Sequence, residues 1–141
     1  ERYFESKTYL AGKKIKSFKL PWGKIGLTIC YDLRFPNLYR KLSKQGSIFL
    51  AVPSAFTETT GKRHWHSLLK ARAIENFCYI FAPAQAGKHY NGRKTFGNSL
   101  IVSPDGKILK SLNKKEGVIT TSIDPSLPKK LRTIIPSLKN D

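Results

Sequence analysis

A chain of 141 residues with 40% hydrophobic and 11% aromatic side chains carries enough apolar material for one domain with a core, which excludes intrinsic disorder. Lys and Arg number 26 against 9 Asp and Glu, a net charge of +17 that raises nucleic acid or an acidic membrane as a partner. The lysines are scattered, with neither zinc-finger spacing nor the signature of an RNA-recognition strand, and no apolar run reaches the ~18 residues that span a bilayer; no specific nucleic acid and no membrane are expected.

In chain order, residues 5–19 are polar and lysine-rich with a break at Gly12, and read as loop and edge strand before the Pro21-Trp22-Gly23 turn. Lys24 to Ile29 is a short strand that runs into Cys30. Asn37 to Gln45 has helical spacing and stops at Gly46, and Ile48 to Val52, bounded by Gly46 and Pro53, is a strand covered on both faces. Trp65, Leu68, Leu69 and Ala73 mark one face of a helix from about His64 to Asn76, with Thr59, Thr60 or Gly61 near its start. Cys78 to Ala82 follows as a second buried strand. Ser99 to Val102 and Lys107 to Leu109 flank a Pro-Asp-Gly turn, Gly117 to Ile123 alternates as a further strand, and Lys129 to Ile135 forms a last short helix. Alternating strands and helices with no repeat and no linker predict a single layered α/β unit over residues 1–141.

Two cysteines, Cys30 and Cys78, fit neither a disulfide framework nor a zinc site, so a reducing, cytoplasmic setting is expected and no metal. Cys78 lies inside an apolar run and reads as core. Cys30 stands where an apolar strand enters a polar turn and then a helix, the place where a nucleophile projects from a sheet edge; main-chain N–H groups of the following turn, that of Tyr31 first, face whatever the sulfur attacks. On position alone, a buried structural cysteine remains the alternative. Arg72 and Glu75 are spaced as a structural ion pair on one helix.

The segments Lys24-Ile25-Gly26-Leu27-Thr28-Ile29-Cys30-Tyr31-Asp32-Leu33-Arg34-Phe35-Pro36, Val52-Pro53-Ser54-Ala55-Phe56, His64-Trp65, Lys70-Ala71-Arg72-Ala73-Ile74-Glu75-Asn76 and Gly97-Asn98-Ser99 with Pro104-Asp105-Gly106 occur in an order that resembles the carbon–nitrogen hydrolase (nitrilase) superfamily. Within it, the chain is most similar to the amidase branch that includes omega-amidases and deaminated-glutathione amidases. The resemblance implies an α-β-β-α sandwich, here incomplete and representing its C-terminal half, an amide substrate of small size, no cofactor, and a homo-oligomer where the domain is complete, with a partner subunit across one helical face.

By the same resemblance Cys30 matches the nucleophile and Glu5 a second glutamate that helps the proton transfers. The general-base glutamate and the oxyanion-stabilising lysine belong to segments that precede these in the family and have no match in this sequence; Lys7 is no substitute, because it follows Glu5. The 141 residues, which include no methionine, therefore read as part of a longer protein. Arg34, Phe56, His64 and Trp65 are assigned to the substrate pocket, with Gln85 and Tyr90 near it. Arg34 has an alternative as an ion-pair partner of Asp32 behind the turn, and His64 and Trp65 as packing groups at a helix start. Two functional classes stay open: a thiol amidohydrolase lineage, and a non-catalytic remnant or split half of one.

Overall fold

The computed structural model describes residues 7–140. Glu5 lies outside them.

A hairpin opens the fold: β1 (Lys16–Leu20) pairs antiparallel with β2 (Gly23–Leu27) around the Pro21-Trp22 turn. A 3-10 turn, Cys30–Arg34, then leads into α1 (Pro36–Lys44), which starts on a proline, the residue whose missing N–H costs nothing at a helix's first position. β3 (Ser47–Ala51) lies parallel to β2, and β4 (Tyr79–Ala82) parallel to β3, the two being joined by the long helix α2 (Glu58–Asn76). Parallel strands need such a crossover. Beyond β4 the chain forms a separate two-stranded hairpin of β5 (Ala86–Lys88) and β6 (Lys94–Phe96), then returns antiparallel to β4 as β7 (Leu100–Val102) and turns back as β8 (Ile108–Ser111). The six-stranded sheet thus runs β1-β2-β3-β4-β7-β8. The chain ends with α3 (Leu127–Ile134).

The alternation read from the sequence holds in the α/β class and in the order of its elements, and three readings are corrected. First, α2 begins at Glu58 rather than near His64, because Thr57 caps it: its side chain accepts the Thr60 N–H at 3.4 Å. Second, the β5–β6 hairpin, absent from the sequence reading, forms where Ala86-Gly87-Lys88 offers no apolar alternation; three antiparallel pairs define it, Ala86 with Phe96, Gly87 with Thr95 and Lys88 with Lys94. Third, residues 117–123 form no strand; Val118 is exposed, and alternation without a partner strand makes no sheet.

One face of the sheet is covered by α1 and α2. Leu33, Tyr39, Leu42, Leu50, Val52, Trp65, Leu69, Ala73, Ile80 and Val102 form one buried cluster there. Phe49, which points away from that cluster, stacks with Tyr79 and Phe81 at ring-centroid distances of 6.0 Å each. Gly106 closes the β7–β8 turn with φ +86°, a conformation that L side chains rarely adopt, and its N–H donates to the Ser103 carbonyl at 2.9 Å.

At the start of β3, Arg132 of α3 donates from Nη2 to the carbonyls of Ser47 at 2.7 Å and Asn76 at 3.0 Å, and to the Cys78 sulfur at 3.1 Å. Cys78 is buried, as expected, and burial pushes its thiol pKa up against the pull of Arg132.

Candidate active site

β2, β3 and β4 run side by side in one direction, and their carboxyl ends define an edge, the place where ligands settle in sheets of this kind. The strand pairing continues past the strands as single bonds. Thr28 N–H donates to Ala51 O at 3.1 Å, Cys30 N–H to Pro53 O at 2.9 Å, Ser54 N–H to Pro83 O at 3.0 Å, and Gln85 N–H to Ser54 O at 2.9 Å. Those bonds fix Cys30, Ser54 and Gln85 along the lip of the sheet.

Cys30 itself has φ +44°, a left-handed conformation that a non-glycine residue adopts only when its surroundings hold it there. What holds it is on both sides. Upstream, the Thr28 hydroxyl is hydrogen-bonded to the Tyr39 hydroxyl at 2.7 Å and donates to Ala51 O at 2.9 Å, and burial drives the Tyr39 pKa upward. Downstream, the Asp32 carboxylate accepts the Ile29 N–H at 2.9 Å, closing the turn around Cys30. One residue further, the Leu33 carbonyl receives Arg72 Nε at 3.1 Å and Nη2 at 2.9 Å, while Arg72 Nη1 pairs with Glu75 at 2.9 Å, the ion pair expected from the spacing. The cysteine is a free thiol, half-buried.

A cavity of about 610 Å³ opens at this lip, lined by Cys30, Ser54, Ala55, Gln85, Arg93 and Ser99 among others. A second, of about 330 Å³, shares Gln85 and Ser99 with it and extends toward His89 and Lys115. The 3-10 turn leaves its leading N–H groups without acceptors inside the turn, and Tyr31 N–H, on the residue that follows Cys30, is one of them.

The remaining expected pocket residues are placed differently. Arg34 lies with its guanidinium 5.8 Å from the Tyr31 ring and 5.3 Å from the Phe56 ring, and its Nη1 donates to His64 Nδ1 at 3.2 Å. A guanidinium only donates, so Nδ1 is the acceptor and the imidazole proton sits on Nε2. Phe56 and Trp65 are buried with ring centroids 5.0 Å apart, and Trp65 Nε1 donates to Asn98 O at 2.8 Å. Arg34, Phe56, His64 and Trp65 form one continuous cluster, and none of them lines the cavity that holds Cys30. Asp32 is engaged with Ile29 rather than with Arg34. Tyr90 is fully exposed, whereas Gln85 lines both cavities.

Arg93 went unnoticed in the sequence. It sits in the turn of the β5–β6 hairpin and reaches the cavity by donating from Nη2 to Ala55 O, 2.9 Å away and 38 residues earlier in the chain. Nothing local in Asn91-Gly92-Arg93 announces that contact. Among the described residues no group of three or more His, Cys, Asp or Glu is placed to hold a metal ion, and no helix is long and apolar enough to cross a membrane.

Comparison with known proteins sets this geometry in context. A deaminated glutathione amidase from Synechocystis sp. is 49% identical over 140 residues, covering 98% of this chain and 52% of its own length. The crystal structure of the C. elegans NitFhit protein superimposes with a TM-score of 0.94 and 40% identity, covering all of this chain and 34% of that one. A variant of the amidase from Nesterenkonia sp., described with the acetamide moiety of fluoroacetamide covalently added at its active-site cysteine, superimposes with a TM-score of 0.72 and 27% identity over 80% of this chain and 43% of that one. The chain spans about half the length of the curated relatives it matches. Residues 1–133 match the model of the carbon-nitrogen hydrolase family, and the chain belongs to that family.

Proposed function

We propose that this chain carries the nucleophile of a thiol amidohydrolase acting on a small amide, with Cys30 as that nucleophile. The observation that carries the reading is the pairing of a left-handed, hydrogen-bonded turn at Cys30 with a cavity onto which the same residue opens. In this mechanism Cys30 Sγ attacks the amide carbon and the carbonyl π electrons move to oxygen, giving a tetrahedral oxyanion; Tyr31 N–H is a donor to it. Collapse of the oxyanion breaks the C–N bond, nitrogen takes a proton and leaves as ammonia, and a thioester remains on Cys30. Water then attacks the thioester, releasing the carboxylic acid and restoring the thiol. Glu5 assists the proton transfers. The cluster of Arg34, Phe56, His64 and Trp65 acts by supporting the wall next to the turn. The relatives named deaminated glutathione amidase favour an amide over a nitrile as substrate.

Oxyanion stabilisation by a positioned donor is worth about a hundred- to a thousandfold, and proton transfer by a positioned base a comparable factor. Without a matched lysine and general base, the 141 residues by themselves form the thioester slowly and release it more slowly still. Prolonged exposure of the chain to butyramide, followed by peptide mass spectrometry, is expected to show a butyryl increment on Cys30 that Cys30→Ala lacks. An unmodified Cys30 overturns the assignment and favours the non-catalytic reading.

A further inference from the structure

We propose that Tyr39 is a positioning residue for Cys30, bracing both flanks of its turn so that the sulfur and the Tyr31 N–H meet one carbonyl group together; this rests on the amidase reading of Cys30.

The hydroxyl protons fix the direction of the first contact. Thr28 has one hydroxyl proton and gives it to Ala51 O at 2.9 Å, so at the 2.7 Å contact between the two hydroxyls Tyr39 donates and Thr28 accepts. Burial drives the Tyr39 pKa upward, which keeps that proton in place across the neutral range. The Thr28 N–H donates to the same carbonyl at 3.1 Å, and both side chains are buried. The relay from Tyr39 through Thr28 to Ala51 thus runs one way, uses every hydroxyl proton and ends on β3.

Cys30 lies two residues past this anchor. Ile29 between them is 68% exposed, so no packed side chain holds the link, and the upstream grip on Cys30 comes from Thr28 and from the Cys30 N–H bond to Pro53 O at 2.9 Å. On the downstream flank, the Arg72 guanidinium that holds the Leu33 carbonyl lies 5.5 Å from the centre of the Tyr39 ring. The oxygen of Tyr39 therefore braces one flank of the turn and its ring the other. Tyr39 does not line the cavity, so it acts through these neighbours and not on a substrate. Because Cys30 is held at φ +44° against a steric cost, a weaker brace lets its backbone relax and swings the sulfur off line. A displacement of ~1 Å between reacting groups costs a rate factor of about a hundred.

Two reagents separate aim from access. With p-nitrophenyl butyrate, Cys30 Sγ attacks the ester carbon, the resulting oxyanion collapses, the bond to p-nitrophenolate breaks, and the thiol proton passes to the buffer, leaving a butyryl thioester. Iodoacetamide alkylates by displacing iodide at a saturated carbon, forms no oxyanion, and reads access and thiolate alone. Both products on Cys30 are scored by peptide mass against time. Tyr39→Phe, which loses one oxygen and keeps the ring, is expected to slow butyrylation about tenfold, the equivalent of one buried hydrogen bond, with alkylation within about twofold of wild type. Thr28→Val is expected to match it, the double variant to be no slower than either single one, and Thr28→Ser, which keeps the hydroxyl, to retain most of the rate. Butyrylation of Tyr39→Phe at the wild-type rate overturns the proposal. So does a loss accompanied by faster alkylation of both Cys30 and the buried Cys78, the mark of general loosening. Where Tyr39→Phe does not fold, Thr28→Val and Thr28→Ser decide, equal rates rejecting the brace. A wild-type chain with no butyryl group on Cys30 rejects the amidase reading and the positioning role with it, whereas butyrylation indifferent to Tyr39 rejects the positioning role alone.

Discussion

Arg72, in the second half of α2, holds the carbonyl of Leu33 with two nitrogens, at 3.1 Å and 2.9 Å, and so ties the longest helix to the turn that carries Cys30. The same guanidinium lies 5.5 Å from the centre of the Tyr39 ring and pairs with Glu75. The turn that carries Cys30 is therefore positioned from the helical layer, and not by the sheet alone.

Arg72→Ala leaves a buried carbonyl and a carboxylate without their partner, and is expected to cost about 3 kcal/mol of stability. Arg72→Lys, with one donor head in place of a fork, is expected to restore less than half of it. Urea denaturation at neutral pH reads both; an Arg72→Ala midpoint within error of wild type removes the tie.

Gly61 lies inside α2, where alanine would ordinarily favour the helix by about 1 kcal/mol. A Cβ there would stand 2.3 Å from Phe96 Cβ and 2.4 Å from its Cγ, so the helix and β6 would have to separate. Gly61→Ala is expected to destabilise by about 1–3 kcal/mol despite the better propensity. A stabilised Gly61→Ala in thermal melts contradicts the close packing of α2 on β6.

The left-handed backbone of Cys30 gives a comparison between two variants that lack the thiol. Neither Cys30→Ala nor Cys30→Gly has a thiol, yet only glycine adopts φ +44° without steric cost. Cys30→Gly is expected to be the more stable of the two by about 1 kcal/mol, the reverse of their order in a helix or strand. Chemical denaturation of the pair gives the sign directly, and the opposite order rejects a strained turn.

His66 packs edge-on against Phe96, with ring centroids 5.9 Å apart. Burial, helped by the charge of Lys70, holds its imidazole below the ordinary value of 6.5. The unfolded chain therefore takes up the proton first as the pH falls, so the stability contributed by His66 is intact above the ordinary value and is lost as the pH drops through it toward the folded value. Stability is expected to decline from about pH 7.5 to about pH 5.5, and His66→Gln to flatten that slope. The carboxylates with lowered pKa values, Asp105 through the Ser103 hydroxyl and Asp124 through Ser126, act below that window. An unchanged slope in His66→Gln rejects the assignment.

What the sequence made legible was what local periodicity controls. Ile48 to Val52 and the strand after Cys78 are apolar runs between breakers, and their burial on both faces leaves no other reading. Cys30 was legible because a strand end, a polar turn and a family motif coincide on one residue. The pocket was less so. Phe56 read as a lining group and Trp65 as either a lining or a packing group, and in the fold their rings pack on each other, with Trp65 on the buried face of α2. Arg93 was silent: its role depends on a hydrogen bond to Ala55 that only the folded hairpin brings about. Residues 117–123 erred in the other direction, since alternation specifies a strand only when a neighbour supplies the ladder.

The clamp that Arg132 makes on Ser47, Asn76 and Cys78 gives the final helix a protective task. While α3 stays seated, the protein offers electrophiles a single accessible sulfur, that of Cys30 at the lip of the sheet. Without α3, Cys78 and the Ser47 and Asn76 carbonyls at the opposite end of the same strands would lose the guanidinium they share, though Cys78 stays packed in the core beside Ser43.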